Sequence, residues 1–318
     1  LNVSRSALQN DGFVNKISDY ISKKVADKLT GMCKTDRESY EKYWDDISPF
    51  IKFGCLKDEK FCDKMSDYIL FKNIDHEYLT LKDCIAKNGG AEETKAEEEK
   101  TEASEGENTE EKAEEKKVTI YYVTDEQQQS QYINMFKQEG LDAVLLTHNI
   151  DSPFVTQLEQ RNENVQFQRI DADLTDTFKE EVAKEEEEAF KADTETLTDV
   201  FRKALENDKL EVKVEKLKNE NVASMVTLSE QSRRMQEMMK MYNMYGMDPS
   251  MFGTDVTLVL NANHPLVQYV LKNKDGEHVP MFCKQLFDLA MLSNKPLNPE
   301  EMTAFINRSN EIMMLLAK

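Results

Sequence analysis

No apolar run in this 318-residue chain approaches the roughly 18 residues that a membrane-spanning helix requires, and no secretory signal peptide opens it. The five cysteines (Cys33, Cys55, Cys62, Cys84 and Cys283) include no CxxC pair and no framework spacing. They read as reduced, cytosolic thiols. The four histidines, His76, His148, His264 and His278, are scattered, and no metal site is expected from them. Basic residues are in deficit: 41 Lys and Arg stand against 61 Asp and Glu, for a net charge of −20. Such a field repels nucleic acid and anionic membrane surfaces and favours solubility. A cytoplasmic protein with no nucleic-acid or membrane partner is therefore expected. With 39% hydrophobic residues, the length suits two or three small domains rather than one. The chain opens at Leu1 rather than at methionine, so an upstream part is expected.

One catalytic signature is also missing. Val118–Val123, Ala143–Thr147 and Val165–Ile170 read as strands, with helices over Glu126–Glu139 and Ser152–Gln160 between them. That order implies a small parallel α/β layer. Nucleotides bind such layers at a glycine-rich turn after the first strand. Here the turn is Thr124-Asp125-Glu126-Gln127, with no glycine and added negative charge, which disfavours a phosphate site.

Before this layer lies a helical unit. Asn10–Gly31 carries Val14, Ile17, Ile21, Val25 and Leu29 at helical spacing, with Lys23, Lys24 and Lys28 on the other face. Thr35 and Glu38 form a capping-box pair before a helix carrying Tyr40, Tyr43, Trp44 and Ile47, expected to stop near Ser48-Pro49. Asp58 caps a third helix with Phe61, Met65 and Ile69 inward. Upstream, Arg5 and Gln9 share a helical face. An arginine fork there could meet a phosphate, although most surface arginines are merely solvated. Ala91–Lys117 has no Val, Ile, Leu or aromatic residue and reads as a disordered or frayed acidic insertion.

Seven of the 16 methionines fall in Ser229–Gly253. Thr227 and Glu230 read as a capping box at its start and Gly246 as its stop. Met235, Met238, Met239 and Tyr242 lie at i, i+3, i+4 and i+7, one face of a helix. Met241, Met244 and Tyr245 lie off that face, so the last turns are apolar nearly all round. Core packing is one reading. An exposed, adaptable surface is the other, since methionine is over-used where many partners must be accepted. Val212–Leu217, Val222–Leu228 and Val256–Leu260 read as a small sheet, with the methionine segment as an excursion between its last two strands.

The chain's last part reads as a helical hairpin. Pro280–Leu292 carries Phe282, Leu286 and Phe287. Asn298-Pro299-Glu300-Glu301 launches a helix with Met302, Phe305, Ile306, Ile312, Met313 and Leu316. One hairpin at a chain end buries such stripes poorly, whereas two related by a twofold axis make a four-helix bundle. These nine residues are the candidate dimer interface. The fold expectation is an α+β and α/β multidomain chain: residues 1–90 helical, 91–117 an acidic insertion, 118–175 a small α/β unit, 176–192 an acidic connector and 193–318 a sheet with helices and the dimerising hairpin.

In this order, LNVSRSALQ (Leu1–Gln9), the Tyr43-Trp44 helix ending in Phe53-Gly54, YLTLKDCI (Tyr78–Ile85), IYYVT (Ile120–Thr124), LLTHNID (Leu145–Asp151) and LVLNANHPLVQYV (Leu258–Val270) resemble the heat-shock protein 90 chaperone family, its bacterial members most of all. The resemblance implies the later middle domain followed by the C-terminal dimerisation domain, with the ATP-binding domain lying upstream of Leu1. It implies that Arg5 and Gln9 serve the γ-phosphate of ATP, with Mg, in the full-length parent, a slow ATPase. This fragment by itself is expected to bind no cofactor and to be no enzyme. It implies unfolded client proteins as partners, held by Met235, Met238, Met239 and Tyr242. Some bacterial members have a client-contacting tryptophan just after the LLTHNID position, where this chain has Ser152-Pro153-Phe154, and Phe154 is the candidate substitute. Ser6 stands where the family usually has glutamate. The LLAK end lacks the acidic tail that docks helical-repeat co-chaperones, so no such docking is expected. Two rivals remain open: a passive dimeric scaffold with core methionines, and a small-molecule enzyme built on the α/β unit.

Overall fold

The computed structural model describes residues 12–90, 117–172, 178–180, 182, 186–228, 256–294 and 296–317. It mixes helices and small sheets, and its contacts divide it into two compact units, Leu1–Tyr122 with Asp142–Phe167, and Val123–Leu141 with Gln168–Lys318.

The first unit opens with α1 (Gly12–Thr35), α2 (Arg37–Lys57) and α3 (Glu59–Met65). The cap of α2 lies one residue later than the sequence pattern indicates. Asp36 accepts from the Ser39 amide at 3.3 Å, while the Thr35 hydroxyl donates back to Gly31 O and closes α1 instead. Pro49 does not stop α2, which continues to Lys57. Proline removes one intrahelical hydrogen bond, but the buried face of Tyr40, Trp44, Ile51 and Cys55 runs through it and holds the helix together. The predicted cap at Asp58 forms, accepting from the Phe61 amide at 3.2 Å. The α1 stripe departs from expectation more strongly: Ile17, Ile21 and Val25 are exposed, and only Ala26 of that helix is buried.

A short hairpin follows, β1 (Leu70–Lys72) antiparallel to β2 (Tyr78–Thr80), then α4 (Leu81–Ile85). Next come β3 (Val118–Val123), α5 (Ser130–Gln138), β4 (Ala143–Leu145), α6 (Asp151–Arg161) and β5 (Val165–Arg169), with the strands in the order β4-β3-β5. The strand–helix–strand alternation is as the sequence indicates. Tyr40, Trp44, Phe71, Phe154 and Phe167 fill the first unit's core. Lys52 of α2 reaches Asp151 at the start of α6, both almost wholly buried, and the Asp151 carboxylate also accepts from the His148 amide at 2.9 Å.

The second unit contains α5, α7 (Glu187–Leu205), β6 (Glu211–Glu215), β7 (Ser224–Leu228), β8 (Val256–Asn261), α8 (Pro265–Lys272), α9 (Val279–Leu292) and α10 (Pro299–Leu316). β8 lies between the other two strands, parallel to β6 and antiparallel to β7. The register sets Leu228 opposite Val256. Thr227 therefore lies within β7, paired with Thr257, and cannot be the helix cap its sequence context suggests. β7 is an edge strand, and Tyr132 of α5 donates to its Val226 carbonyl at 2.8 Å.

The LNANHPL motif has a structural explanation. Asn261 is fully buried at the end of β8. Its side-chain oxygen accepts from the Leu217 and Asn263 amides, and its amide donates to Asn219 O and Val222 O. A buried amide so completely satisfied fixes the surrounding turns. His264 then caps α8, its Nδ1 accepting from the Leu266 amide at 3.1 Å, with Pro265 at the first turn.

Replacing Lys52 by Met strands the Asp151 carboxylate in the core, and urea denaturation should show a loss of about 3–5 kcal/mol. A loss below about 1 kcal/mol would mean that the pair is not buried in solution. Burial lowers the His264 pKa from its ordinary 6.5, and the protonated ring cannot accept at Nδ1. The unfolded chain then binds the proton more readily than the folded one. The cap's contribution is thus fully present above pH 6.5 and is lost as pH falls through the lowered folded value. His264→Asn, which keeps the cap, should flatten the melting temperature between pH 5 and pH 7 relative to the wild type.

Candidate functional site

The hairpin of α9 and α10 is the candidate interaction surface that the structure describes. α9 is apolar on nearly every side. One face, with Val279, Cys283, Leu286, Ala290 and Met291, is buried against α7 and β7, and the Ser224 hydroxyl of β7 donates to Leu286 O at 2.8 Å. The other face meets α10. There Arg308 forms an ion pair with Asp288 and donates to Gln285 Oε1 at 3.0 Å, while Gln285 donates to the Ser309 hydroxyl at 3.0 Å. Burial raises the Asp288 carboxyl above its ordinary range, and the Arg308 guanidinium opposes that rise. This polar cluster sets the register between the two helices.

α10 begins as predicted. Asn298 Oδ1 accepts from the Glu301 amide at 2.8 Å, and the Glu301 carboxylate accepts from the Asn298 amide at 2.9 Å. Pro299 occupies the first helical position. Yet none of the helix's residues is buried. Ile306 is 50% exposed, Met313 58% and Leu316 84%.

The nine candidate interface residues thus separate into groups. Leu286 is core of its own chain, at 2% exposure, and so cannot contribute a contact surface without unfolding. Phe282, Phe287, Met302 and Phe305 are half-buried against that same core. Ile312 is half-buried. Ile306, Met313 and Leu316 remain accessible, joined by Leu289, Met314 and Leu315, which are not among the nine candidates. The signal for Leu289 was present, since α9 has apolar residues beyond what one buried stripe requires. Beside them runs an open groove of about 390 Å³ lined by His278, Met281, Asn310, Glu311, Met314 and Leu315.

The other candidates are placed as follows. Arg5, Gln9, Met235, Met238, Met239 and Tyr242 lie outside the described residues. Phe154 is corrected: it is fully buried, packed in the first unit's core with the Lys52 ammonium 5.9 Å from its ring centroid, and offers no surface to a client. Among the described residues no helix is long and apolar enough to cross a membrane, and no group of three or more His, Cys, Asp or Glu could hold a metal ion.

The Hsp90 protein family profile matches residues 1–94 and 98–318. The chain belongs to the Hsp90 family. The Hsp90 match is interrupted only inside the acidic stretch 91–117. Among individual relatives, chaperone protein HtpG of Porphyromonas gingivalis (strain ATCC 33277) is 34% identical over 304 residues, covering 93% of this chain and 41% of the relative. Chaperone protein htpG of Bacteroides fragilis (strain YCH46) is 33% identical over 287 residues, covering 87% of this chain and 38% of the relative. HtpG of Bacteroides thetaiotaomicron is 32% identical over 284 residues, with the same coverages. The chain thus spans about two-fifths of the length of these Hsp90 relatives.

Asn298→Ala removes the side-chain acceptor of the Glu301 amide and leaves the backbone half of the capping box of α10, and chemical denaturation should register a loss of about 1 kcal/mol. An unchanged midpoint would show that the N-terminus of α10 does not hold that helix in place.

Proposed function

We propose that this chain is the client-holding and dimerising part of a homodimeric, ATP-dependent chaperone. The observation that supports dimerisation is α10: an 18-residue helix that buries none of its residues within its own chain while exposing Ile306, Met313 and Leu316. A second copy related by a twofold axis would cover both hairpins at once. Client binding is assigned to the face of Met235, Met238, Met239 and Tyr242. The pairing of Leu228 with Val256 supports this, since it joins both ends of the methionine segment to adjacent strands. Flexible, polarizable methionines suit weak contact with many unfolded sequences. In a longer family protein Arg5 and Gln9 would meet the γ-phosphate of ATP, the arginine fork stabilising charge on the transferring group.

Two experiments test the reading. Ile306→Glu with Met313→Glu should raise the dimer dissociation constant at least about 100-fold in sedimentation equilibrium, each factor of ten being about 1.4 kcal/mol. An unchanged constant places the interface elsewhere. Leu286→Ala should instead lower the melting temperature at every protein concentration, because the cavity it leaves lies within one protomer. For clients, binding of a reduced, carboxymethylated unfolded protein should fall at least about tenfold in Met238→Lys/Met239→Lys while circular dichroism is preserved. Unchanged binding in the folded variant rejects the methionine surface. Unfolding of the variant favours the passive scaffold, in which those methionines are core.

A further inference from the structure

α9 ends at Leu292, and the turn to α10 begins with Ser293 and Asn294. Both side chains reach outside the hairpin. The Ser293 hydroxyl donates to Gln131 Oε1 at 2.7 Å, and the Asn294 side-chain amide donates to Asp171 Oδ2 at 3.3 Å. Asn294 is 6% exposed and Asp171 1%, so water competes little for the second bond. The two acceptors lie 162 and 123 positions away in sequence, yet belong to the same compact unit as the hairpin.

Both acceptors are themselves held. Gln131 is on α5, whose Tyr132 donates to Val226 O at 2.8 Å. At the other end of α5, Asn219 donates to Gln138 Oε1 at 2.8 Å, and Lys218 pairs with Glu139 at 3.2 Å. Gln131 and Gln138, like Tyr132 and Glu139, are seven residues apart, so one face of α5 is pinned at points about 10.5 Å apart. A helix pinned in this way cannot roll, and Gln131 becomes a fixed point. Asp171 is held by Arg169, whose Nε lies 2.9 Å from Oδ1 and whose terminal nitrogen donates to Oδ2 at 3.1 Å. A buried ion pair contributes little net stability, because desolvation offsets attraction. What this pair supplies is direction: a carboxylate oxygen aimed at Asn294.

The turn governs α10 more than α9, since α9 is seated on β7 by its own buried face. α10 buries no residue fully. Its ion pair from Arg308 to Asp288 lies near mid-helix and acts as a fulcrum. A shift of the turn is therefore returned as an opposite shift, of similar size, at Met313 and Leu316.

We propose that Gln131 and Asp171 latch the turn of the α9–α10 hairpin and set the angle at which α10 is offered to a second copy of this chain. They are positioning residues for the dimer, and the inference rests on the dimerisation reading above. Gln131 stands between β3 and β4 in sequence, and Asp171 just after β5. The latch thus makes dimer affinity depend on the α/β segment of the chain, where hydrophobic periodicity marks no interface residue.

Sedimentation equilibrium tests this. Gln131→Ala and Ser293→Ala should each raise the dimer dissociation constant at least about fivefold. The double variant should go no further, because all three break one bond. Asn294→Ala, which breaks the other, should act likewise, with circular dichroism unchanged throughout. Ser293 is half-buried, so Ser293→Ala keeps the test decisive if Asn294→Ala unfolds. Asp58→Ala removes the cap of α3, far from the turn in sequence, and should lower the melting temperature without moving the constant. The latch is overturned if the constant is unchanged in the folded Gln131 and Ser293 variants, or if Asp58→Ala raises it as much as they do. Ile306→Glu with Met313→Glu, measured alongside, separates the two readings. An unchanged constant there fails the dimer interface itself, whereas a raised one with the turn variants unmoved fails the latch alone.

Discussion

The second unit depends on the placement of β8. This strand is buried along Leu258, Val259 and Leu260 and pairs on both edges, parallel with β6 and antiparallel with β7. A strand covered on both faces reads as a continuous apolar run, which LVL supplies. Two consequences follow from its central position. Its C-terminal residue, Asn261, gathers the turns after β6 and before β7 and hands the chain to α8. Its N-terminal residue, Val256, lies opposite Leu228, so the intervening methionine segment leaves and re-enters the sheet at neighbouring points. The entropic cost of joining two strands rises only slowly with the length of the connection, so the sheet can carry such an excursion without much loss.

From β8 onward, burial passes from the chain's own core to a surface its own chain leaves open. α9 faces both ways, with Leu286 inward and Leu289 outward. α10 packs Met302 and Phe305 half-buried against the second unit's core but buries no residue fully. The Asp288–Arg308–Gln285–Ser309 cluster explains how α10 holds its place without a core of its own. Directional polar contacts specify register where apolar contacts alone would permit sliding.

Local chemistry was the most legible part of the sequence. The caps at Asp58 and Asn298 and the strands on either side of the methionine segment follow from residue type and spacing, and they form. Pro49 misled because a continuing buried face outweighs one lost hydrogen bond. Thr35 misled by a single residue, Asp36 being the better-placed acceptor. Thr227 misled because a hydroxyl in an edge region can be strand or cap, and pairing with Thr257 decides it. Burial was less legible, because periodicity shows that a face is apolar without showing what covers it. Ile17, Ile21 and Val25 have the spacing of a core stripe and are exposed; Phe154 follows a motif associated with contacts and is wholly buried. Leu286 and Ile306 look alike in sequence, and only the packing of α9 on β7 separates them.

Charge makes the open surface compatible with self-association. A body of net charge −20 repels its own copies at low ionic strength. Between Met302 and Ala317, however, α10 carries only Arg308 and Glu311, and Arg308 is already paired within the protomer. The repulsive charge is thus distributed over the rest of the molecule, while the accessible apolar face is nearly free of it. At such a face a second hairpin loses little through charge desolvation and gains from burying Ile306, Met313 and Leu316, whereas non-specific encounters elsewhere meet a like-charged surface. In the dimer proposed above, the excess of acid would act as a selectivity device: it leaves apolar association available where charge has been withheld.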